Sequence, residues 1–189
     1  MVTMATIKTS KEEILKNAIR LFKIKGYHNT SMADIAAKCG IIKGSLYHHF
    51  KSKDEVGLEG LKSIHNYFVN EVYSIAYRED MNTQEKIELY IQKIDDYFLH
   101  SEGGCIFGNF ALELPSERED FREVIREDFD AWSNSLAFML ESRYSKEEAY
   151  ALAKEYVALT QGSIMMMNLR KDSTDYLKVG QKIILLLKD

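Results

Sequence analysis

The sequence predicts an all-α fold of about nine helices, and three observations carry that expectation. One Pro and ten Gly in 189 residues are too few for the many tight turns of a β-sandwich or a doubly wound sheet. A Ser or Asn followed three residues later by Glu recurs along the chain, the pattern that caps a helix start. Between these marks apolar residues return at three- and four-residue spacing, with no strand-like alternation competing. With 46% hydrophobic and 29% charged residues, the chain can bury a true core and is not a disordered tail.

The first helix, about 10–25, opens at the Ser10/Glu13 pair and sets Ile14, Ala18, Leu21 and Phe22 on one face. Gly26 ends it. Two short helices follow at about 32–39 and 43–49, with Gly40 between them. The fourth, about 53–78, starts at Ser52/Glu55 and carries Leu61, Ile64, Phe68, Val72 and Ile75. Asn82/Glu85 opens the fifth, about 83–100, and the Gly103-Gly104 pair precedes a short sixth at about 105–113. Pro115 and the Ser116/Glu119 pair mark a seventh over about 116–141. Ser145/Glu148 opens the eighth, about 146–170, and the ninth runs over about 174–187.

Charge divides the chain. Residues 1–53 hold nine Lys and one Arg against three acids, a net +7, whereas residues 54–189 carry −11. The whole-chain figure of −4 conceals this split, and such asymmetry points to nucleic acid or another anionic surface. The longest aliphatic run, Ile183 to Leu187, is far short of the ~20 residues that span a bilayer, so no membrane partner is expected. Residues 1–10 lack the apolar core of a secretory signal, and a cytoplasmic location is the simplest expectation. Cys39 and Cys105 stand apart with no CxxC or Cys/His pairing, so neither a disulfide nor a metal or other cofactor is indicated.

Within the basic segment, Ser31–Cys39 and Lys43–Phe50 read as two brief helices joined by a tight turn, the form of a helix-turn-helix. Ala33, Ile35, Ala36, Ile41, Leu46 and Phe50 are expected to form its small core. Lys43, Ser45, Tyr47 and His48 then present donors and acceptors suited to bases and phosphates.

These residues resemble a known family. Ala18-Ile-Arg-Leu-Phe, Gly26-Tyr, Thr30-Ser-Met-Ala-Asp-Ile-Ala, Gly40 and Lys43-Gly-Ser-Leu-Tyr-His-His-Phe-Lys-Ser-Lys-Asp are similar to the DNA-binding domain of the TetR family of transcriptional regulators. The resemblance implies a DNA-binding domain over 1–53 and a helical effector-binding and dimerisation domain over 54–189. It implies that Thr30 or Ser31 holds phosphate and that Lys43, Gly44 and Ser45 face base edges. Tyr47 and His48 would contact phosphate or bases, and Lys53 would reach phosphate from the fourth helix. Ile42 departs from the family, which usually has a Ser or Thr there to cap the recognition helix. Ile42 then either packs inward or marks a displaced helix start.

The acidic remainder is rich in aromatics and methionines. Most of these belong to the core by spacing alone, and Phe68, Tyr97, Phe107, Phe110, Trp132 and Met166 are candidates to line a ligand pocket. Gly103-Gly-Cys-Ile-Phe-Gly-Asn-Phe-Ala-Leu-Glu resembles a Gly-Cys…Gly-Asn…Ala-x-Glu signature at the sixth helix of one TetR subgroup. Cys105, Asn109 and Glu113, spaced i, i+4, i+8, share one helix face, and Cys105 and Asn109 join the pocket candidates. A helix N-terminus lowers a thiol's pKa, so a repressor that senses electrophiles or oxidants through Cys105 is the alternative to one released by a small-molecule effector. An enzyme built on Cys105 and His100 is not expected, because no orienting carboxylate or oxyanion arrangement can be assigned. The last two helices carry broad apolar faces, with Ala153, Ala158 and Gly162 small enough for a close neighbour. By resemblance they pair with a second copy in a homodimer, which suits a helix-turn-helix that reads two half-sites.

Overall fold

The computed structural model describes residues 9–188, so the start of the 1–53 segment and most of the expected leader-free stretch 1–10 lie outside the described residues. Among the described residues nine α-helices run in order: α1 Lys11–Lys25, α2 Met32–Lys38, α3 Lys43–His49, α4 Lys53–Glu71, α5 Thr83–Leu99, α6 Ile106–Glu113, α7 Glu119–Leu140, α8 Lys146–Arg170 and α9 Thr174–Leu185. A 3-10 turn, Tyr73–Tyr77, follows α4. No strand occurs among the described residues.

The caps explain most helix starts. Ser10, Ser52, Asn82 and Ser145 each accept a hydrogen bond from the backbone N–H three residues on. Asn82 and Ser145 form reciprocal boxes with Glu85 and Glu148, and Ser31 with Asp34 adds a further box. Ser116/Glu119 does not. Arg118 N–H instead donates to the Pro115 carbonyl at 3.2 Å, closing a turn, and α7 begins at Glu119 with no side-chain cap. The expected single helix over 53–78 also breaks. Val72 leaves helical geometry (φ −121°, ψ −62°), and the chain tightens into the 3-10 turn that buries Tyr73, Ile75 and Ala76.

Helices α1 to α3 form a small head. Ile14, Ala18, Phe22, Ile35, Ala36, Leu46 and Phe50 make its interior. Ile41 is only half-buried and Ala33 is exposed, which removes Ala33 from the expected core. Helix α1 also packs on α4 and α6, tying the head to the body. In the body α7 packs against α4, α8 and the 3-10 turn, and α9 against α5 and α8.

The joint between them is aromatic. Phe110 of α6 is fully buried among Phe22 (5.5 Å between ring centres), Tyr27 (5.1 Å) and Phe121 (5.8 Å). The first two meet edge-on and the third is tilted, and aromatic pairs add about 0.5–1.5 kcal/mol each beyond burial of their area. The Tyr27 hydroxyl donates to Asp54 at the start of α4, and Arg118 pairs with the same carboxylate at 3.1 Å.

Candidate nucleic-acid interface and effector cavity

Helix α2 ends in a hydrogen-bonded reversal. Gly40 takes the left-handed φ of 67°, its N–H bonds the Ala37 carbonyl, and the Ile41 N–H reaches back to the Ala36 carbonyl. This is the motif in which glycine avoids the Cβ strain of a left-handed residue. It aims α3 away from α2 with Leu46 and Phe50 inward. Lys43, Gly44, Tyr47 and His48 are exposed and Ser45 is half-buried, so these five share one outward surface. The Lys43 ammonium lies 5.8 Å from the Tyr47 ring centre.

Ile42 follows neither expected course. It occupies the N-cap position of an undisplaced α3, makes no cap, and is 75% exposed. Thr30 is 1% exposed and its hydroxyl donates to the Gly26 carbonyl at 2.8 Å. Of the two phosphate candidates, only Ser31 is at the surface. Lys53 is half-buried, with Nζ donating to the Tyr27 carbonyl at 2.9 Å and lying 4.3 Å from the Tyr27 ring centre.

The pocket candidates scatter. Phe68, Tyr97, Phe107 and Trp132 meet Cys105 around a void of about 10 Å³, which is packed core. Phe110 belongs to the joint, and Met166 is half-buried away from any cavity wall. A cavity of about 420 Å³ lies instead between α6 and α8. Cys105 and Asn109 line it, joined by Gly104, Gly108, Ala111, Leu112, Phe129, Gln161, Gly162, Ile164, Met165 and Asn168. Gly104, Gly108 and Gly162 are on its wall; an added Cβ at Gly162 would meet open space, whereas at Gly104 and Gly108 it would press on the Asn168 and Gln161 amides. Its polar groups are amides. Asn168 Nδ2 bonds the Ile164 carbonyl, whereas buried Gln161 Nε2 has no partner among the described residues.

Cys105 is 7% exposed, and burial raises its thiol pKa, with weaker opposing hydrogen bonds from Gly108, Gln161 and Phe107. The expected thiolate is therefore disfavoured, because desolvation outweighs the helix N-terminus. A second buried group lies deeper. Asp128 is 2% exposed, with His65 Nδ1 at 3.1 Å and the Tyr73 hydroxyl at 3.4 Å. Burial raises the Asp128 pKa, and its hydrogen bond raises that of His65.

Helix α6 connects cavity to head at both ends. Asn109 Nδ2 donates to the Gly103 carbonyl at 2.8 Å, and Gly103 packs so tightly on α1 that a Cβ there would lie 2.3 Å from the Lys23 carbonyl oxygen. At the other end the Glu113 carboxylate accepts the His28 N–H at 3.2 Å, the Glu113 carbonyl lies 2.9 Å from His28 Nε2, and the carboxylate presses on Gly26.

An all-helical chain with a helix-turn-helix head and a longer helical body is the architecture of a DNA-binding transcriptional regulator. Residues 14–59 match the bacterial regulatory proteins of the tetR family, and residues 83–182 match the LmrA/YxaF-like transcriptional regulator C-terminal domain. The chain is 31% identical over 183 residues to the uncharacterized HTH-type regulator YxaF of Bacillus subtilis, covering 95% of each. Over 60 residues, 32% of each chain, it is 40% identical to the HTH-type negative transcriptional regulator IcaR of the icaADBC biofilm operon in Staphylococcus epidermidis. A TetR transcriptional regulator from Legionella pneumophila superposes with a TM-score of 0.85 at 26% identity, over 97% of this chain and all of that one. The chain belongs to the TetR family of DNA-binding transcriptional regulators.

Proposed function

We propose that the protein is a homodimeric repressor released from its operator by a small molecule that binds between α6 and α8. The carrying observation is that α6, eight residues long, lines the cavity and is fastened to α1 and to His28 of the head. A ligand with different affinities for two positions of α6 would shift the head between them. Residues 1–53 act as the DNA-binding unit and 54–189 as the effector and dimer unit. Ser31, Lys43, Gly44, Ser45, Tyr47 and His48 form the DNA surface, working in the cytoplasm.

Dimerisation through α8 and α9 is supported by their outer faces. Ala158, Gly162, Met165 and Leu169 form an exposed stripe on α8, with Leu159 beside it and Leu185 exposed on α9. Ala153 is not part of that stripe, because it is fully buried within the protomer. The repressor assignment is supported by the negative regulator to which this chain is similar. Within the Gly-Cys…Gly-Asn…Ala-x-Glu segment, the Asn109 bond to Gly103 and the Glu113 bond to His28 support this reading as its two fastenings. Thiol sensing has less support, since the Cys105 thiol is buried and held protonated.

Fluorescence anisotropy with a duplex from upstream of the protein's own gene tests the DNA step. Affinity falls steeply as salt rises, and Lys43→Ala lowers the slope of log affinity against log salt by about one. Binding indifferent to salt would remove the proposed phosphate contacts. Mass spectrometry of small molecules released on denaturing the purified protein tests the effector step.

A further inference from the structure

Lys23 belongs by sequence to the basic head, yet its side chain lies under the body and is 8% exposed. Its Nζ donates to Ser101 Oγ at 2.9 Å and lies 5.1 Å from the Tyr97 ring centre. An ammonium has three donors, and no carboxylate is within ion-pair distance of this one among the described residues. Buried charges are ordinarily paired, so this cation lacks its customary partner.

The space in front of Lys23 is a groove of about 630 Å³ between α1 and the end of α5. Lys16, Arg20 and His100 join Lys23 on its walls, and the single acid there, Glu102, is already paired with Arg20 at 2.9 Å. Ile19, Ile64 and Tyr97 supply an apolar floor. We propose that this groove is a second ligand site, for a small organic carboxylate with an apolar body. The carboxylate completes the hydrogen bonding of Lys23, and the body lies over Tyr97 and Ile64. Charge-assisted bonds of this kind are about twice as strong as neutral ones. Burial has already pushed the Lys23 ammonium down to about 8, the strain that an arriving anion relieves. One wall is head and the other is body, so an occupant braces the same joint that α6 spans from the far side.

Calorimetry with sodium benzoate and with benzamide, its neutral counterpart, at matched ionic strength tests this on the full chain. Benzoate binds saturably and benzamide at least about tenfold more weakly. Lys23→Met, which keeps the buried stem, weakens benzoate about tenfold or more, and Arg20→Gln weakens it less. Methyl-labelled isoleucine spectra of the wild type locate the site without any variant: Ile19 and Ile64 shift with benzoate and Ile164, in the α6–α8 cavity, does not. Equal binding of the two probes, undiminished benzoate affinity in Lys23→Met, or shifts confined to Ile164 would overturn the proposal.

Discussion

The α6–α8 cavity and the α1–α5 groove are lined by the two halves of one loop, residues 100–105, and have opposite chemistry. The α6–α8 cavity is walled by amides, glycines and apolar side chains, and Cys105 is its one titratable lining group. The α1–α5 groove gathers Lys16, Arg20, Lys23 and His100. The first therefore suits a neutral ligand and the second an anion. Gly103 lines the first and packs on the backbone of Lys23, whose side chain lines the second, and its carbonyl receives the Asn109 amide.

The largest effect is expected where Gly103 packs on the Lys23 backbone, between the two openings. Gly103 has φ of 81°, and any Cβ would collide with the Lys23 backbone. Gly103→Ala destabilises the fold by about 4 kcal/mol or more, read from denaturant unfolding. A loss below about 1 kcal/mol would show that α1 and the loop part freely.

Lys23→Met separates the two openings by removing charge from one alone. Lys23 loses its proton at about 8 rather than 10.5, so the folded state pays for a buried cation at neutral pH. Below pH 8 the cost is complete, and between 8 and 10.5 the unfolded chain binds more protons, so the wild type gains stability as pH rises. Lys23→Met is therefore more stable by up to roughly 3 kcal/mol at pH 7, and its advantage shrinks through pH 8 to 10. An advantage constant with pH would assign the gain to packing instead of charge.

Smaller changes follow at the two fastenings of α6. Asn109→Ala leaves the Gly103 carbonyl without its partner and costs about 1 kcal/mol. Glu113→Gln weakens the charged acceptor for the His28 N–H and costs less than that, because the contact is exposed. Both loosen the head, read as faster amide exchange at Tyr27 and His28 with the body unchanged.

Much of this was legible in the sequence, for local reasons. Ser10, Ser52, Asn82 and Ser145 cap what their spacing predicted, because a cap depends on four consecutive residues. Ser116 failed because Pro115 offered its carbonyl to Arg118 first. The exposed face of α3 was readable because Leu46 and Phe50 point inward while Lys43, Tyr47 and His48 stay at the surface. The cavity was not, because aromatics at helical spacing look the same in a core as in a pocket. Phe68, Tyr97, Phe107 and Trp132 meet around Cys105 in the core, and the cavity wall is assembled from α6 and α8 residues about fifty positions apart. Nor did the +7 of the head reveal that Lys23 and Lys53 turn inward, since charge counts carry no direction.

On the proposed mechanism, filling the α6–α8 cavity moves the head. Gly108 lines the cavity from α6, and an added Cβ meets the end of the Gln161 side chain at 3.3 Å and the Cys105 Cβ at 3.8 Å. Gly108→Leu therefore builds an occupant into the site while improving helix propensity. Measured by anisotropy at fixed salt, its operator affinity falls about tenfold with an unfolding temperature equal to or above that of the wild type. Wild-type affinity in a folded Gly108→Leu protein, with the leucine seated in the cavity, would contradict the account.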